Sequence, residues 1–317
     1  MENVRNLSFD LLKGFLIILV ITGHILPGNA NEGLRGIIYY SHMPLFLGVT
    51  GYFIKSESLN LTVRSLIKKY NIRMITPYLV AFIIYTSFYM IFSIGFHNIQ
   101  AKHFIGSVIF PFYHLWYIPA VIIFILYTKV LNNNLKATFA IFFLSSILTI
   151  VWYADGKNIE SSLPLLRYLG DKRFYYYYSF FLIGFMLGND KLKVNTLLAV
   201  ALCLATVSIN IFFNNTAMID SLLWYIFNAS LISLLITSCN AVKIKNKNIL
   251  VKIGQNSLPI YLWHVAAILT ITYFISPLHP LYYISIICAV IILTMFFVLS
   301  KGKSKFIDKY FYGESRK

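Results

Sequence analysis

The chain alternates between long apolar stretches and short polar connections. Ten of the stretches approach the roughly 20 apolar residues that a helix needs to cross the hydrocarbon core of a bilayer. They lie near residues 8–26, 35–54, 75–96, 114–131, 136–153, 173–188, 194–213, 219–241, 255–276 and 280–300. Since no connection is long enough to fold by itself, the pattern predicts an all-α polytopic membrane protein with about ten transmembrane helices, organised as one membrane domain over residues 1–317.

The connection at residues 55–74 has a helical pattern of its own. Its apolar residues recur at helical spacing between basic side chains, as is typical of an amphipathic helix in the membrane interface. The apolar positions are Leu59, Val63, Leu66, Ile67 and Tyr70.

Composition and charge agree with a chain dissolved in lipid. Hydrophobic residues make up 58% of it and charged residues 12%, against roughly 45–50% and about 25% in soluble domains. The 27 Lys and Arg and 11 Asp and Glu give a net charge of +16, which in a soluble protein would suggest nucleic acid. In a membrane protein the basic residues instead collect in cytoplasmic loops. We therefore expect membrane lipid, and no nucleic acid, as a partner.

The distribution of basic residues also predicts the topology. With the N-terminus inside and ten spans, 20 of the 27 Lys and Arg fall on the cytoplasmic side and six on the outside, and Lys13 lies within the first span. This asymmetry places both termini in the cytoplasm and the protein in the cell membrane. The three cysteines are far apart and show no metal-ligand spacing, so neither a disulfide nor a metal is expected.

The first span contains three ionisable side chains, which are costly inside a bilayer and therefore indicate function. Asp10 and Lys13 are one helical turn apart, and His24 lies eleven residues beyond Lys13, about 16 Å along the axis on the same face. This spacing suits a long ligand with an anionic end at Lys13 and a reacting end at His24. It is equally compatible with an Asp10–Lys13 ion pair at the membrane surface and a histidine hydrogen-bonded within the core.

Two more histidines lie in spans. His42 precedes Met43 and Pro44 in the second span, where a functional role and simple solvation near the outer end fit equally well. His264 lies well inside the ninth span, where a lone histidine needs a partner or a function.

Basic residues also precede the third span, and Lys69 and Arg73 are among them. They fit the positive-inside rule, a site for anionic lipid, or a site for the phosphates of a cytosolic nucleotide donor.

Five short segments, taken in chain order, carry a resemblance to a known family. They are Asp10 to Gly14 with His24, His42 to Tyr52, Arg73 with Pro77 and Tyr78, Leu115 to Ala120, and Ser257 to His264. Together they resemble the acyltransferase 3 family of membrane acyltransferases over nearly the whole chain, and in particular its short sugar O-acetyltransferases of the fucose 4-O-acetylase type.

Two positions depart from the family pattern. The family has an arginine that is separated by ten residues from its essential histidine, and that position is occupied here by Lys13. Of the family's Arg-x-x-Arg motif, Arg73 matches the second member, whereas Tyr70 replaces the first and Lys69 lies beside it. Positive charge is kept, but guanidinium geometry is lost.

The resemblance implies acetyl-CoA as acyl donor and, as acceptor, a sugar hydroxyl of a cell-surface glycan or its lipid-linked precursor. Acyl transfer to an alcohol needs a base, so we hypothesise that His24 takes the hydroxyl proton or, alternatively, carries the acetyl group covalently. Lys13, Lys69 and Arg73 would hold the CoA phosphates at the cytoplasmic face. The residues expected to line the acceptor side or to support the site are Asp10, His42, Trp116, Tyr261 and His264.

The main alternative is a transporter or flippase for a polar or lipid-linked solute, because buried histidines and carboxylates also form proton relays. Against a transporter, the sequence shows no inverted repeat. A polysaccharide polymerase, a further alternative, usually carries a larger external loop than residues 154–172.

Overall fold

A computed structural model describes residues 6–29, 32–112, 114–131, 134–213 and 215–314. Over these ranges the chain consists of helices, helical turns and loops, without a β-strand, which confirms the all-α prediction. The α-helices are α1 (Leu7–Ile25), α2 (Gly33–Tyr52), α3 (Ser56–Leu59), α4 (Val63–Tyr70), α5 (Thr76–Tyr89), α6 (Ala101–Ile109), α7 (Tyr117–Leu131), α8 (Leu135–Ser162), α9 (Arg173–Tyr176), α10 (Tyr178–Gly188), α11 (Thr196–Phe212), α12 (Ala217–Ala241), α13 (Ile249–Gln255), α14 (Ser257–Phe274), α15 (Tyr282–Ser300) and α16 (Lys305–Tyr310). Asn71–Ile75 and Met90–Ile94 are π-helical, and Phe96–Asn98 and Pro164–Leu169 are 3₁₀-helical.

Each predicted span coincides with one or two of these helices. Among the described residues, six helical segments have at least 18 residues and enough apolar character to cross a bilayer. They are Leu7–Ile25, Val63–Ile94, Leu135–Ser162, Ala217–Ala241, Ser257–Phe274 and Tyr282–Ser300. Helices α7 and α11 are shorter apolar helices. The count of ten spans and the cytoplasmic termini, whose residues 1–5 and 315–317 lie outside the described ranges, stay predictions.

Short polar connections supply the caps that begin several helices. The Asn6 side chain accepts a hydrogen bond from the Ser8 amide at 3.0 Å, and Asn134 accepts one from Ala137 at 2.9 Å. Such caps satisfy backbone N–H groups at the first turn, which matters most where little water is available.

The connection 55–74 is more helical than a loop between spans. Helix α4 continues through a π-helical turn into α5, so that one helical segment runs from Val63 to Ile94. Leu66 and Tyr70 are buried, whereas Val63 and Ile67 are exposed. The helical pattern predicted for this connection is therefore present, and part of its apolar face packs inside the bundle.

Glycines bring α2 and α10 into close contact at the centre of the bundle. A Cβ on Gly184 would overlap the carbonyl oxygen of Gly48, and a Cβ on Gly51 would overlap that of Phe181. Small residues let helix backbones approach in this way in membrane proteins.

A second glycine contact joins α1 to α13. A Cβ on Gly254 would overlap the Asp10 carbonyl oxygen, and one on Gly14 would overlap the Leu250 carbonyl oxygen. Helix α13 ends at Gln255, and after Asn256 the chain continues as α14. Because α1 packs along both α13 and α14, the end of α1 lies beside the middle of α14.

The bundle has two distinguishable ends. At the first, α1 begins and α2, α10 and α12 end: the Asn6 side chain donates to the Cys239 carbonyl at 2.8 Å, and Lys55 donates to the Gly188 carbonyl at 2.6 Å. We call it the basic end, because most of the lysine-rich connections lie there. At the opposite end α1 and α6 end and α7 begins.

Candidate functional site

Four buried or half-buried histidines lie together where α1 ends. The His24 ring centroid is 5.2 Å from that of His264 and 6.4 Å from that of His114, and the His114 and His264 centroids are 5.0 Å apart. We call these three residues and His42 the histidine cluster. His24 is the half-exposed member, and its ring makes no hydrogen bond to a described residue.

Backbone carbonyls fix the tautomers of two of these rings. The His264 Nδ1 atom lies 2.8 Å from the Tyr261 carbonyl oxygen, and the His42 Nδ1 atom lies 2.7 Å from the Ile38 carbonyl oxygen. Since a carbonyl oxygen only accepts, each Nδ1 carries the proton when the ring is neutral. The Nε2 atom of each ring is then an acceptor.

His114 is a site residue that the sequence reasoning missed. It lies in non-helical backbone just before α7, where its Nε2 atom donates to the Leu262 carbonyl at 3.1 Å and its own carbonyl accepts from the Tyr261 hydroxyl. Non-helical backbone is tolerated inside a membrane protein where it is buried in protein. The sequence signal was a histidine next to a span, but its partners lie almost 150 residues away and no local pattern identifies them.

Two nitrogens of the cluster are buried and lack a hydrogen-bond partner among the described residues. They are Nδ1 of His114 and Nε2 of His264. Both are acceptors in the tautomers assigned above, so a polar group with a hydrogen to donate would complete the site.

Tyr39 connects His42 with His24. Its ring centroid is 4.9 Å from that of His42 and 6.2 Å from that of His24. Gly23 makes room for it, because a Cβ there would lie 2.9 Å from the Tyr39 ring. Tyr39 was not among the predicted site residues.

The predicted aromatic residues separate into two positions. Tyr261 belongs with the histidine cluster, its ring 5.5 Å from that of His114. Trp116 instead stacks on Tyr177, with ring centroids 5.7 Å apart, and its ring lies 4.5 Å from the Arg173 guanidinium.

Asp10 and Lys13 form an ion pair toward the basic end. The Lys13 Nζ atom is 3.0 Å from Asp10 Oδ1, and Gln255 donates to Asp10 Oδ2 at 3.2 Å. The ammonium also lies 5.2 Å from the Phe53 ring centroid. Asp10 is buried. This carboxylate therefore fixes the position of Lys13 below His24.

Lys69 and Arg73 also lie toward the basic end. Lys69 donates to the Ser58 hydroxyl, and Arg73 is exposed, with its backbone against Gly313. Lys13, Lys69 and Arg73 thus have different neighbours, namely Asp10, Ser58 and Gly313. The structure brings together His24, His42, Tyr261 and His264.

The cluster is suited to proton transfer. Neutral imidazoles with free lone pairs accept protons from hydroxyl groups, and the half-exposed His24 is the member that a substrate can reach. In the part of the chain that the structure describes, no group of three or more His, Cys, Asp or Glu side chains is arranged to hold a metal ion.

The apolar helices around a buried polar cluster define an integral membrane protein with a candidate acid–base site in its interior. Its sequence matches the profile of the acyltransferase domain over residues 6–299. The chain belongs to the acyltransferase 3 family, as the sequence motifs indicated, and the match to the acyltransferase domain covers nearly all of it.

Two curated relatives match a short part of the chain. They are the nodulation proteins NolL of Mesorhizobium japonicum, 45% identical over 58 residues, and of Sinorhizobium fredii, 43% identical over 58 residues. Each alignment covers 16% of this chain and 16% of the relative. No solved structure matches significantly.

Proposed function

We propose that this membrane acyltransferase is an O-acetyltransferase. It moves an acetyl group from cytosolic acetyl-CoA to a sugar hydroxyl of a cell-surface glycan or its lipid-linked precursor, and it acts in the cell membrane. The observation that carries the proposal is the position of His24, half-exposed within a cluster of four histidines in a bundle that matches the acyltransferase domain.

His24 acts as the general base. As the sugar oxygen attacks the thioester carbonyl, His24 takes the hydroxyl proton, the C–O bond forms and the C–S bond breaks. The proton then passes to the departing CoA sulfur. His264, 5.2 Å away between ring centroids, supports this step by holding His24 in position. In the covalent alternative, a His24 nitrogen first takes the acetyl group and then gives it to the sugar oxygen.

The donor lies toward the basic end. Lys13, Lys69 and Arg73 bind the CoA phosphates there, and the pantetheine arm runs along α1 over the roughly 16 Å between Lys13 and His24. The ion pair with Asp10 holds Lys13 in place for this role.

The acceptor reaches His24 from the opposite end. His42, Trp116, Tyr261 and His264 line that side or orient His24. Support comes from the unpartnered acceptor nitrogens of the cluster, which suit the hydroxyl groups of a sugar.

Substitution of His24 tests the proposal. Purified His24→Ala and His24→Gln proteins are expected to lose acetyl transfer by about 10²–10⁴-fold, the usual contribution of a general base. Both variants should still be stabilised thermally by acetyl-CoA in detergent. His279→Gln is the matched control, because His279 is an exposed histidine in the connection between α14 and α15.

Full acetyl transfer by the His24 variants would contradict the role of His24. Absence of any stabilisation of the wild-type protein by acetyl-CoA would contradict the donor and favour a transporter or flippase. Comparison by NMR of the O-acetyl content of surface glycans, with and without the gene, tests the acceptor class: an unchanged pattern in every glycan fraction contradicts it.

A further inference from the structure

A cavity of about 490 Å³ lies at the opposite end of the bundle, away from the lysine-rich connections. Its volume falls in the range of about 300–1,000 Å³ that is usual for small-molecule sites. Residues that line it include Phe110, Glu160, Leu166, Asp171, Arg173 and Tyr175.

The cavity is a product of the irregular end of α8. This helix bends at Asp155, whose φ and ψ of −140° and 22° are not helical, and it is followed by the 3₁₀ helix Pro164–Leu169. Gly170 then turns the chain with a positive φ of 83°, and the Asp171 amide donates to the Ile109 carbonyl at 3.2 Å. This hydrogen bond fixes the segment to the end of α6.

The charged side chains named in the cavity lining, among the residues that the structure describes, are paired. The Arg173 Nε atom donates to Asp171 Oδ1 at 2.8 Å, and Lys172 Nζ lies 3.0 Å from Glu160 Oε1. Two cations therefore face two carboxylates. A site for phosphate would need an excess of positive charge, whereas paired carboxylates and cations offer acceptors and donors to the hydroxyl groups of a neutral sugar.

Aromatic rings form part of the wall. The Tyr175 ring lies edge-to-face on Trp152 at 5.1 Å, and Tyr176 stacks on Tyr177 at 4.2 Å. Their positions are set by these contacts. Rigid aromatic surfaces with a polar edge suit the mixed apolar and polar faces of a sugar ring.

A continuous path of rings connects the cavity wall with the histidine cluster. Arg173 lies 4.5 Å from the Trp116 ring, Trp116 is 6.2 Å from Tyr117, and Tyr117 is 5.3 Å from Tyr261. Tyr261 in turn contacts His114. Successive side-chain contacts thus link the cavity wall to the residues of the acid–base site.

We propose that this cavity binds the acceptor glycan, holding neutral sugar residues next to the one that is acetylated at His24. The inference rests on the proposed O-acetyltransferase function, and it identifies Glu160, Asp171 and the tyrosines of α9 as determinants of acceptor specificity.

Filling the cavity is the first test. Leu166→Trp places a large ring in the cavity, while Leu165→Trp changes the neighbouring residue, which is 76% exposed and does not line it. Both variants are expressed in cells lacking the wild-type gene, and the O-acetyl content of surface glycans is measured by NMR. We expect Leu166→Trp to lower that content at least about tenfold and Leu165→Trp to leave it unchanged.

A smaller substitution tests acceptor binding in the cavity even if Leu166→Trp disturbs folding. Glu160→Gln removes one carboxylate whose side chain is 42% exposed, and Asp220→Asn is its control, an exposed carboxylate in the first turn of α12 outside the cavity. Loss of a hydrogen bond to a charged group is expected to lower acetylation about tenfold in Glu160→Gln alone. Thermal stabilisation by acetyl-CoA should be the same in all variants.

The outcomes separate the two proposals. If Leu166→Trp and Glu160→Gln acetylate glycans like the wild-type protein, the cavity is not the acceptor site and the proposed function stands. If the wild-type protein neither acetylates a glycan nor is stabilised by acetyl-CoA, both proposals fail.

Discussion

The contact between Gly254 and α1 gives a quantitative prediction about the site. The Cβ of a Gly254→Ala variant would overlap the Asp10 carbonyl oxygen and lie 2.7 Å from the Gly14 amide nitrogen. Both neighbours are backbone atoms, so no side-chain rotation can relieve the overlap. Helix α13 must therefore move away from α1.

The free-energy cost of the overlap at Gly254 can be separated from the higher helix propensity of alanine by comparison with a second glycine. Alanine is better than glycine inside a helix by about 0.8–1.0 kcal/mol, and this gain applies equally at Gly106 in α6, where a Cβ would meet nothing within 4 Å. Overpacking of a close contact costs about 1–3 kcal/mol. The difference in stability between Gly106→Ala and Gly254→Ala should therefore be about 1–3 kcal/mol, with Gly254→Ala the less stable.

The displacement of α13 in Gly254→Ala should also lower the rate of acyl transfer. Helix α14 follows α13 directly and carries His264 beside His24. A misplacement of about 1 Å costs about 10²-fold in rate in well-positioned sites, so Gly254→Ala should lose acetyl transfer by about this factor.

Thermal unfolding in detergent, followed by tryptophan fluorescence, and acetyl transfer from acetyl-CoA measure the two effects. Equal melting temperatures and equal activities for Gly106→Ala and Gly254→Ala would refute the reasoning, because they would mean that the α1–α13 contact does not position the histidines.

Three further predictions concern single residues. Lys13→Arg should keep thermal stabilisation by acetyl-CoA and Lys13→Gln should lose most of it, since arginine keeps the charge; equal behaviour would contradict phosphate binding. Arg73→Gln should raise the KM for acetyl-CoA about tenfold or more, as expected for a charge-assisted hydrogen bond, while Arg64→Gln, at an exposed arginine of α4, should not. His264→Asn keeps a donor for the backbone but loses the free ring nitrogen, so kcat should fall about 10²-fold at unchanged KM for acetyl-CoA; a changed KM alone would argue against a positioning role.

Much of the fold follows from the pattern of apolar residues. The span predicted at 35–54 appears as Gly33–Tyr52, and that at 219–241 appears as Ala217–Ala241. Apolar residues predominate in these helices, so local sequence determines them. The ninth span, predicted at 255–276, appears as α14, Ser257–Phe274. The short helix α13 before it, Ile249–Gln255, was not predicted as a helix, because Lys252 interrupts the apolar pattern and the helix packs against α1.

The candidate site was predicted only in part. His24, His42 and His264 stand out because histidines inside apolar stretches are rare and costly. Their clustering depends on tertiary packing and could not be predicted from local sequence, because His24 lies in α1 and His264 lies in α14. His114 and Tyr39 join them through the packing of α7 and α2. The cavity lined by Glu160 and Asp171 depends on a bend at Asp155 that no apolar period indicates.

The two short helices near the centre of the bundle bear on the energetics of the proposed reaction. With 15 residues in α7 and 11 in α10, these helices are about 22 and 16 Å long, while the hydrocarbon core of a bilayer is about 30 Å thick. Both helices are therefore shorter than the hydrocarbon core. In the proposed reaction, the charged nucleotide would remain in water at one face while only its neutral thioester arm entered the protein, so the desolvation of several phosphates would be avoided. The acyl group would then change sides of the membrane through bond exchange alone, without a carrier that opens alternately to each face.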